Sequence, residues 1–208
     1  MGELSRRSGV AVPTIKYYLR VGLLPPGTST AANQADYSEE HLRRLRLVRA
    51  LIDVGGVSVA GSRAVIDALG DDSKGPLDLL ADAQAAVLPQ RRPDRTTPGW
   101  RQARKHVDAL IAERGWLIEP ASPAIDLVAD ALAACAALDL TEVVENLDRY
   151  ADTAASLART EVRAVLERPD PAGRMELVVA ATVLGEALFG ALRMLAHQHE
   201  SARQLGVT

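Results

Sequence analysis

With 208 residues and a mass of 22.2 kDa, the chain has room for one large domain or for two of roughly 70 and 140 residues. Apolar residues at 48% and charged residues at 25% exclude a disordered or fibrous chain; the 3% aromatic content, the abundant alanine and the helical spacing of the β-branched residues exclude a β-sandwich and point to an all-α fold. The net charge of −3 conceals an asymmetry, because residues 1–70 carry nine Lys or Arg against six Asp or Glu, net +3, and the rest carry 15 against 21, net −6. A basic front on an acidic body marks one end of the molecule for a polyanion.

Residues 3–8 predict a short helix that stops at Gly9, and Pro13 sits near the first turn of a second helix over 12–22. On that second helix Pro13, Lys16, Tyr17 and Arg20 share one face, while Ala11, Ile15, Tyr18 and Leu19 share the opposite one. A basic face backed by an apolar one is what a helix needs to dock on a scaffold and lie on nucleic acid. The run Leu23-Leu24-Pro25-Pro26-Gly27 ends the helix, and the polar stretch 28–36 reads as an extended loop or small hairpin. Ser38 is then an N-cap with Glu39 and Glu40 in the first turn of a helix reaching about residue 54. Its apolar stripe is Leu42, Leu45, Val48 and Ile52, and Arg43, Arg44, Arg46 and Arg49 project elsewhere. Gly55-Gly56 breaks the chain, Ser58 recaps it, and a fourth helix over 59–69 closes at Gly70.

The run from Gly2 through Val10, then Thr14-Ile15-Lys16-Tyr17-Tyr18, Gly22-Leu23-Leu24-Pro25, Tyr37-Ser38 and Leu42-Arg43-Arg44-Leu45, resembles the N-terminal winged helix-turn-helix of the MerR family of bacterial transcription regulators. The resemblance covers about residues 1–70, and its specificity lies in the ordered series of motifs. It implies a DNA-binding regulator and not an enzyme, acting as a homodimer across double-stranded operator or promoter DNA so that RNA polymerase engages. Three departures stand out. The motif starts at Met1 rather than a few residues in; Lys16 and Leu19 replace an arginine and a glutamate; and Ala35, in the wing stretch 33–37, replaces an arginine expected on DNA.

Residues 71–98 read as a short helix over 77–88 followed by a linker, because Pro89, Pro93 and Pro98 interrupt any long helix there. Residues 99–208 are expected to form an all-helical dimerisation and effector-binding domain. Ser122-Pro123 caps a helix with Ile125, Val128, Leu132 and Cys135 on one face; Thr141 caps another running to 168 with Val144, Leu147, Ala151, Ala154 and Leu157 inward; Asp170-Pro171 opens the last. That last helix carries Val178, Ala181, Leu184, Leu188, Leu192 and Leu195. Its apolar run 177–196 is long enough to span a bilayer, but Glu186 and Arg193 within it favour a buried or dimer-forming helix, so no membrane partner is expected.

The residues expected on DNA are Thr14, reaching a base edge; Lys16, Tyr17 and Arg20, on phosphate and sugar; Arg43, Arg44 and Arg46 as a phosphate clamp; and Tyr37 of the wing. Trp100, Trp116, Phe189 and Met194 are nearly all the large soft side chains of the acidic body. Between alanine-rich helices they are expected to line a pocket for an apolar or amphipathic small-molecule effector. No cofactor and no catalytic signature is found, and a metal site is not expected, since Cys135 is the single cysteine and His197 and His199, two apart on a helix, point away from each other. Charges at Glu3, Arg6 and Arg7 argue against a signal peptide, so a cytoplasmic protein is expected. The other reading left open is an architectural or excisionase-like DNA-binding protein without a ligand.

Overall fold

The computed structural model describes residues 1–31, 34–71, 73–88 and 93–206. As the low aromatic content and helical periodicity imply, the fold is all-α apart from one small hairpin. The helices are α1 (Gly2–Ser8), α2 (Val12–Arg20), α3 (Glu39–Arg49), α4 (Val59–Leu69), α5 (Pro76–Val87), α6 (Pro98–Arg114), α7 (Pro123–Ala137), α8 (Thr141–Glu145), α9 (Leu147–Glu167) and α10 (Pro171–Leu205). Between α2 and α3 lie β1 (Thr28–Ala31) and β2 (Gln34–Asp36), paired antiparallel with Thr28 opposite Asp36 and Ser29 opposite Ala35.

Contacts divide the chain into two compact units, one of residues 1–88 with 165–208 and one of 89–164. This grouping differs from the expected sequential segments 1–70, 71–98 and 99–208, because the start of α10 packs into the first unit. The core of that unit joins Leu4, Ile15, Tyr18, Leu42, Leu45, Val48 and Leu51 to Ala83 of α5 and to Val179 and Val183 of α10. Fully burying a side chain of this size contributes roughly 1.5–3 kcal/mol, which makes the two valines an anchor for the long helix. Where a single helix to about residue 54 is expected, α3 passes into a π-helical turn, Ala50–Val54, closed by Gly55 N–H to Ala50 O at 2.9 Å and Val57 N–H to Leu51 O at 3.0 Å.

The second unit is built on the α6–α7 pair, with Ala103, Val107, Ile125, Ala129 and Leu132 buried between them. Val128, expected inward, is exposed, and Ala129 takes the buried position. The chain entering this unit is pinned by Arg95, whose guanidinium meets Asp126 at 2.6 Å and Asp130 at 2.7 Å, while Arg104 meets Asp126 at 2.8 Å. The expected helix over 141–168 is two helices, since Asn146 ends α8 by donating its side-chain amide to Glu142 O at 2.7 Å, competing with the backbone ladder. Ala151 of α9 is buried as expected, but Ala154 and Leu157 are exposed.

Candidate nucleic-acid interface

The turn between α1 and α2 is set by Gly9, whose φ of 68° lies in the left-handed region that favours glycine and whose N–H caps α1 at Ser5 O, 2.9 Å away. Ser5 Oγ donates to Val10 O at 2.6 Å, and Ser8 Oγ accepts from Val10 N–H at 3.2 Å, so the turn holds itself by short-range bonds. Ala11 then takes an extended conformation as N-cap, with Pro13 in the first turn of α2. Ile15 and Tyr18 face the core, and burial pushes the Tyr18 phenol above its ordinary range. Lys16, Tyr17 and Arg20 are exposed and Thr14 is half-buried, which is the segregation that the spacing predicts.

The exposed face is ordered by its own chemistry. The Arg20 guanidinium lies 5.4 Å from the Tyr17 ring centroid, a cation–π arrangement that leaves its donors outward. Neither Lys16 nor Arg20 forms an ion pair with any of the described residues, and both side chains are exposed. Sequence reasoning missed the residue that fixes the far end of this helix. Arg63 of α4 donates to Val21 O at 2.5 Å and pairs with Asp67 at 3.0 Å, and a Cβ at Gly22 would stand 2.2 Å from its Nη1. Gly22 and Arg63 therefore form one clamp at the end of α2, which no local spacing announces.

The other candidates separate. Tyr37 is half-buried, edge-on to His41 at 5.2 Å and closing over Gly27, where a Cβ would stand 3.0 Å from its ring; its contacts are those of a hairpin brace. Ala35 lies on β2 opposite Ser29, whereas Asn33 of the expected wing stretch is outside the described residues. Arg46 is exposed and Arg43 is exposed 4.0 Å from Glu176, but Arg44 is half-buried and its Nε has no hydrogen-bond partner. Residues two apart on a helix point about 160° from each other, so Arg44 and Arg46 do not form one patch.

The four expected effector residues fall two in each unit. Trp100 and Trp116 belong to the α6–α7 unit, where Trp100 Nε1 donates to Asp130 at 2.7 Å and the Arg114 guanidinium stands 5.7 Å from the Trp116 ring. Phe189 and Met194 are exposed on α10 in the other unit. None of the four lines the cleft of about 770 Å³ between α3 and the start of α10, or the smaller one of about 260 Å³ beside Met1 and Tyr37. Among the described residues no group of three or more His, Cys, Asp or Glu is placed to hold a metal ion.

A helix-turn-helix with a basic exposed second helix, followed by a two-stranded wing, is a DNA-binding head of the winged helix-turn-helix class. Residues 1–69 match the family model described as MerR HTH family regulatory protein. A protein of Streptomyces coelicolor A3(2) described as a transcriptional regulator, SCO5550, has a similar crystal structure, with a TM-score of 0.77 and 40% identity over 100% of this chain and 98% of that one. The chain belongs to the MerR family of DNA-binding transcription regulators. It is similar to an HTH-type transcriptional regulator, ZntR homolog, of Haemophilus influenzae, at 44% identity over 23% of this chain and 36% of the relative. It is also similar to the HTH-type transcriptional regulator HmrR of Sinorhizobium medicae, at 32% identity over 40% of this chain and 56% of the relative. The matches therefore span between about a third and just over half of the length of these curated relatives.

Proposed function

We propose that the chain is a cytoplasmic, homodimeric one-component regulator that binds two-fold operator or promoter DNA through the exposed face of α2 and responds to a small molecule through its helical body. The observation that carries this reading is the exposed basic face of Lys16, Tyr17 and Arg20, whose two cations have no ion pair among the described residues, on a helix whose other face is locked into the core. RNA polymerase is the partner that such a regulator acts upon. Selection of bound fragments from random duplex DNA is expected to return inverted repeats, because a two-fold protein reads a two-fold site. Recovery of unrelated sequences would replace this reading with the architectural one.

The second copy is supported by α10. Beyond Val183 the helix carries Leu188, Phe189, Leu192, Met194 and Leu195, each between 39% and 62% exposed, where the sequence reading expects a buried or dimer-forming helix. Leu188, Leu192 and Leu195 repeat at i, i+4 and i+7, one stripe of the kind that packs against another helix. By length and composition the helix also suffices to cross a membrane, yet Glu186 and Arg193 interrupt the run. Light scattering is expected to give twice the chain mass for the wild type and the single-chain mass for a Leu188→Glu, Leu192→Glu, Leu195→Glu triple variant. A wild-type monomer, or a triple variant that stays dimeric, would remove α10 as the dimer surface.

A further inference from the structure

The cleft between α3 and the start of α10 has a divided chemistry. Leu47, Leu69 and Met175 give it apolar lining, and Arg43, Arg44, Lys74 and Arg174 line it together with four carboxylates, those of Glu39, Glu40, Asp71 and Glu176. Its volume of about 770 Å³ is in the range of sites that hold small organic molecules. All of its lining residues belong to the first compact unit.

Most charged groups here already have partners. Lys74 is held by Asp82 at 2.5 Å, Arg174 donates to Arg168 O at 2.9 Å, Glu39 takes Arg7 at 2.6 Å, and Asp71 accepts from Ser73 at 2.6 Å. Arg43 and Glu176 make a loose pair at 4.0 Å. Arg44 is different. Its Nε is buried without a hydrogen-bond partner, and no described carboxylate lies within ion-pair distance of its guanidinium. Burial pushes this group below its ordinary range by more than the attraction of Asp67, Glu40 and Glu176 restores. A half-buried guanidinium with unmet donors beside an apolar wall is complementary to one kind of molecule, a carboxylate or phosphate carried on an apolar body.

We infer that this cleft is a binding site for an amphipathic organic anion, with Arg44 receiving the anionic group and Leu47, Leu69 and Met175 packing against the apolar part. The site rests on the effector-sensing reading above for its role and assigns that role to a cleft whose walls are α3 of the DNA-binding head and the start of the long helix. A molecule bound there touches both elements, so any difference in its contacts between two arrangements of α10 would shift the head as well.

Calorimetric titration of the full chain without DNA tests the site with 2-naphthoate, 2-naphthyl phosphate, 2-naphthol and inorganic phosphate. Both naphthyl anions are expected to bind with a dissociation constant of about 1 mM or tighter, as suits a ligand of that size. Naphthol and inorganic phosphate, each lacking half of the chemistry, are expected to bind at least about tenfold more weakly. Arg44→Gln is expected to weaken naphthoate by at least about tenfold, through loss of a charge-assisted bond, while Lys105→Gln on α6 leaves it unchanged. Glu176→Gln removes a competing carboxylate and is expected to tighten naphthoate by about threefold, a gain that misfolding cannot imitate. Absence of naphthoate binding, equal binding of naphthol or of inorganic phosphate, or indifference to both Arg44→Gln and Glu176→Gln would each overturn the site. Because no DNA is present, such a failure is distinct from failure of the operator reading, which the fragment selection reports.

Discussion

Gly55→Ala is expected to destabilise the first unit by about 3 kcal/mol, at the upper end of what overpacking a close-packed core costs. A Cβ at this position would stand 2.1 Å from Val183 Cγ1 and 2.8 Å from Leu51 O. Neither neighbour can yield freely. Leu51 O accepts the Val57 N–H that closes the π-helical turn, and Val183 is 1% exposed on a helix, where a β-branched side chain has essentially one rotamer. The extra methyl therefore has to move α10 or the turn itself. Val183→Ala alone is expected to cost about 2 kcal/mol by leaving a void, but in the double variant the alanine makes room for the new methyl, and the two costs should fall short of their sum by about 1 kcal/mol or more. Urea denaturation followed by circular dichroism on the four proteins of the cycle measures this. Simple additivity would mean that α10 is not seated on the turn after α3, and the proposed cleft beside it would lose one wall.

That contact also shows where the sequence stops being readable. The exposed and buried faces of α2 are legible because everything that makes them is local: Gly9 ends one helix, Pro13 starts the next, and Ile15 and Tyr18 alternate with Lys16, Tyr17 and Arg20 at helical spacing. The seat of α10 is not local. It joins Gly55 to Val183 through small residues that carry no distinctive pattern, and which neighbour a glycine admits is known only after folding. The same holds for Arg63, which reaches Val21 O from α4, and for Arg44, whose place in an arginine-rich helix suggests surface charge but whose Nε is buried. Periodicity also overcounts. The leucines of α10 beyond Val183 have the spacing of a buried stripe, yet Leu188, Leu192 and Leu195 are exposed, and apolar spacing does not say which molecule supplies the partner.

Operator affinity is expected to fall steeply with salt, and the slope should record which side chains meet phosphate. Each phosphate neutralised by lysine or arginine releases counterions and contributes roughly −0.9 to the slope of log affinity against log salt. Lys16 and Arg20 are exposed and free of ion pairs with described residues, so neither has to give up an internal partner to reach DNA. Removing either by substitution with alanine should lower affinity and flatten the slope by about one unit per subunit, hence about two for a dimer that loses the contact on both half-sites. Arg46→Ala should act in the same direction. Arg44→Ala should leave the slope nearly intact, because a half-buried guanidinium facing the cleft is poorly placed to meet the backbone. Thr14, half-buried at the start of α2, should behave differently from both classes: replacing it with alanine is expected to alter sequence preference while the slope stays put, since base contacts specify and phosphate contacts position. The measurement is a salt titration of binding to a selected operator for the wild type and these five variants. Unchanged affinity and slope in both Lys16→Ala and Arg20→Ala would mean that α2 does not lie on DNA; a flattened slope in Arg44→Ala would mean that its guanidinium swings out to phosphate and that the cleft is not its place in the complex.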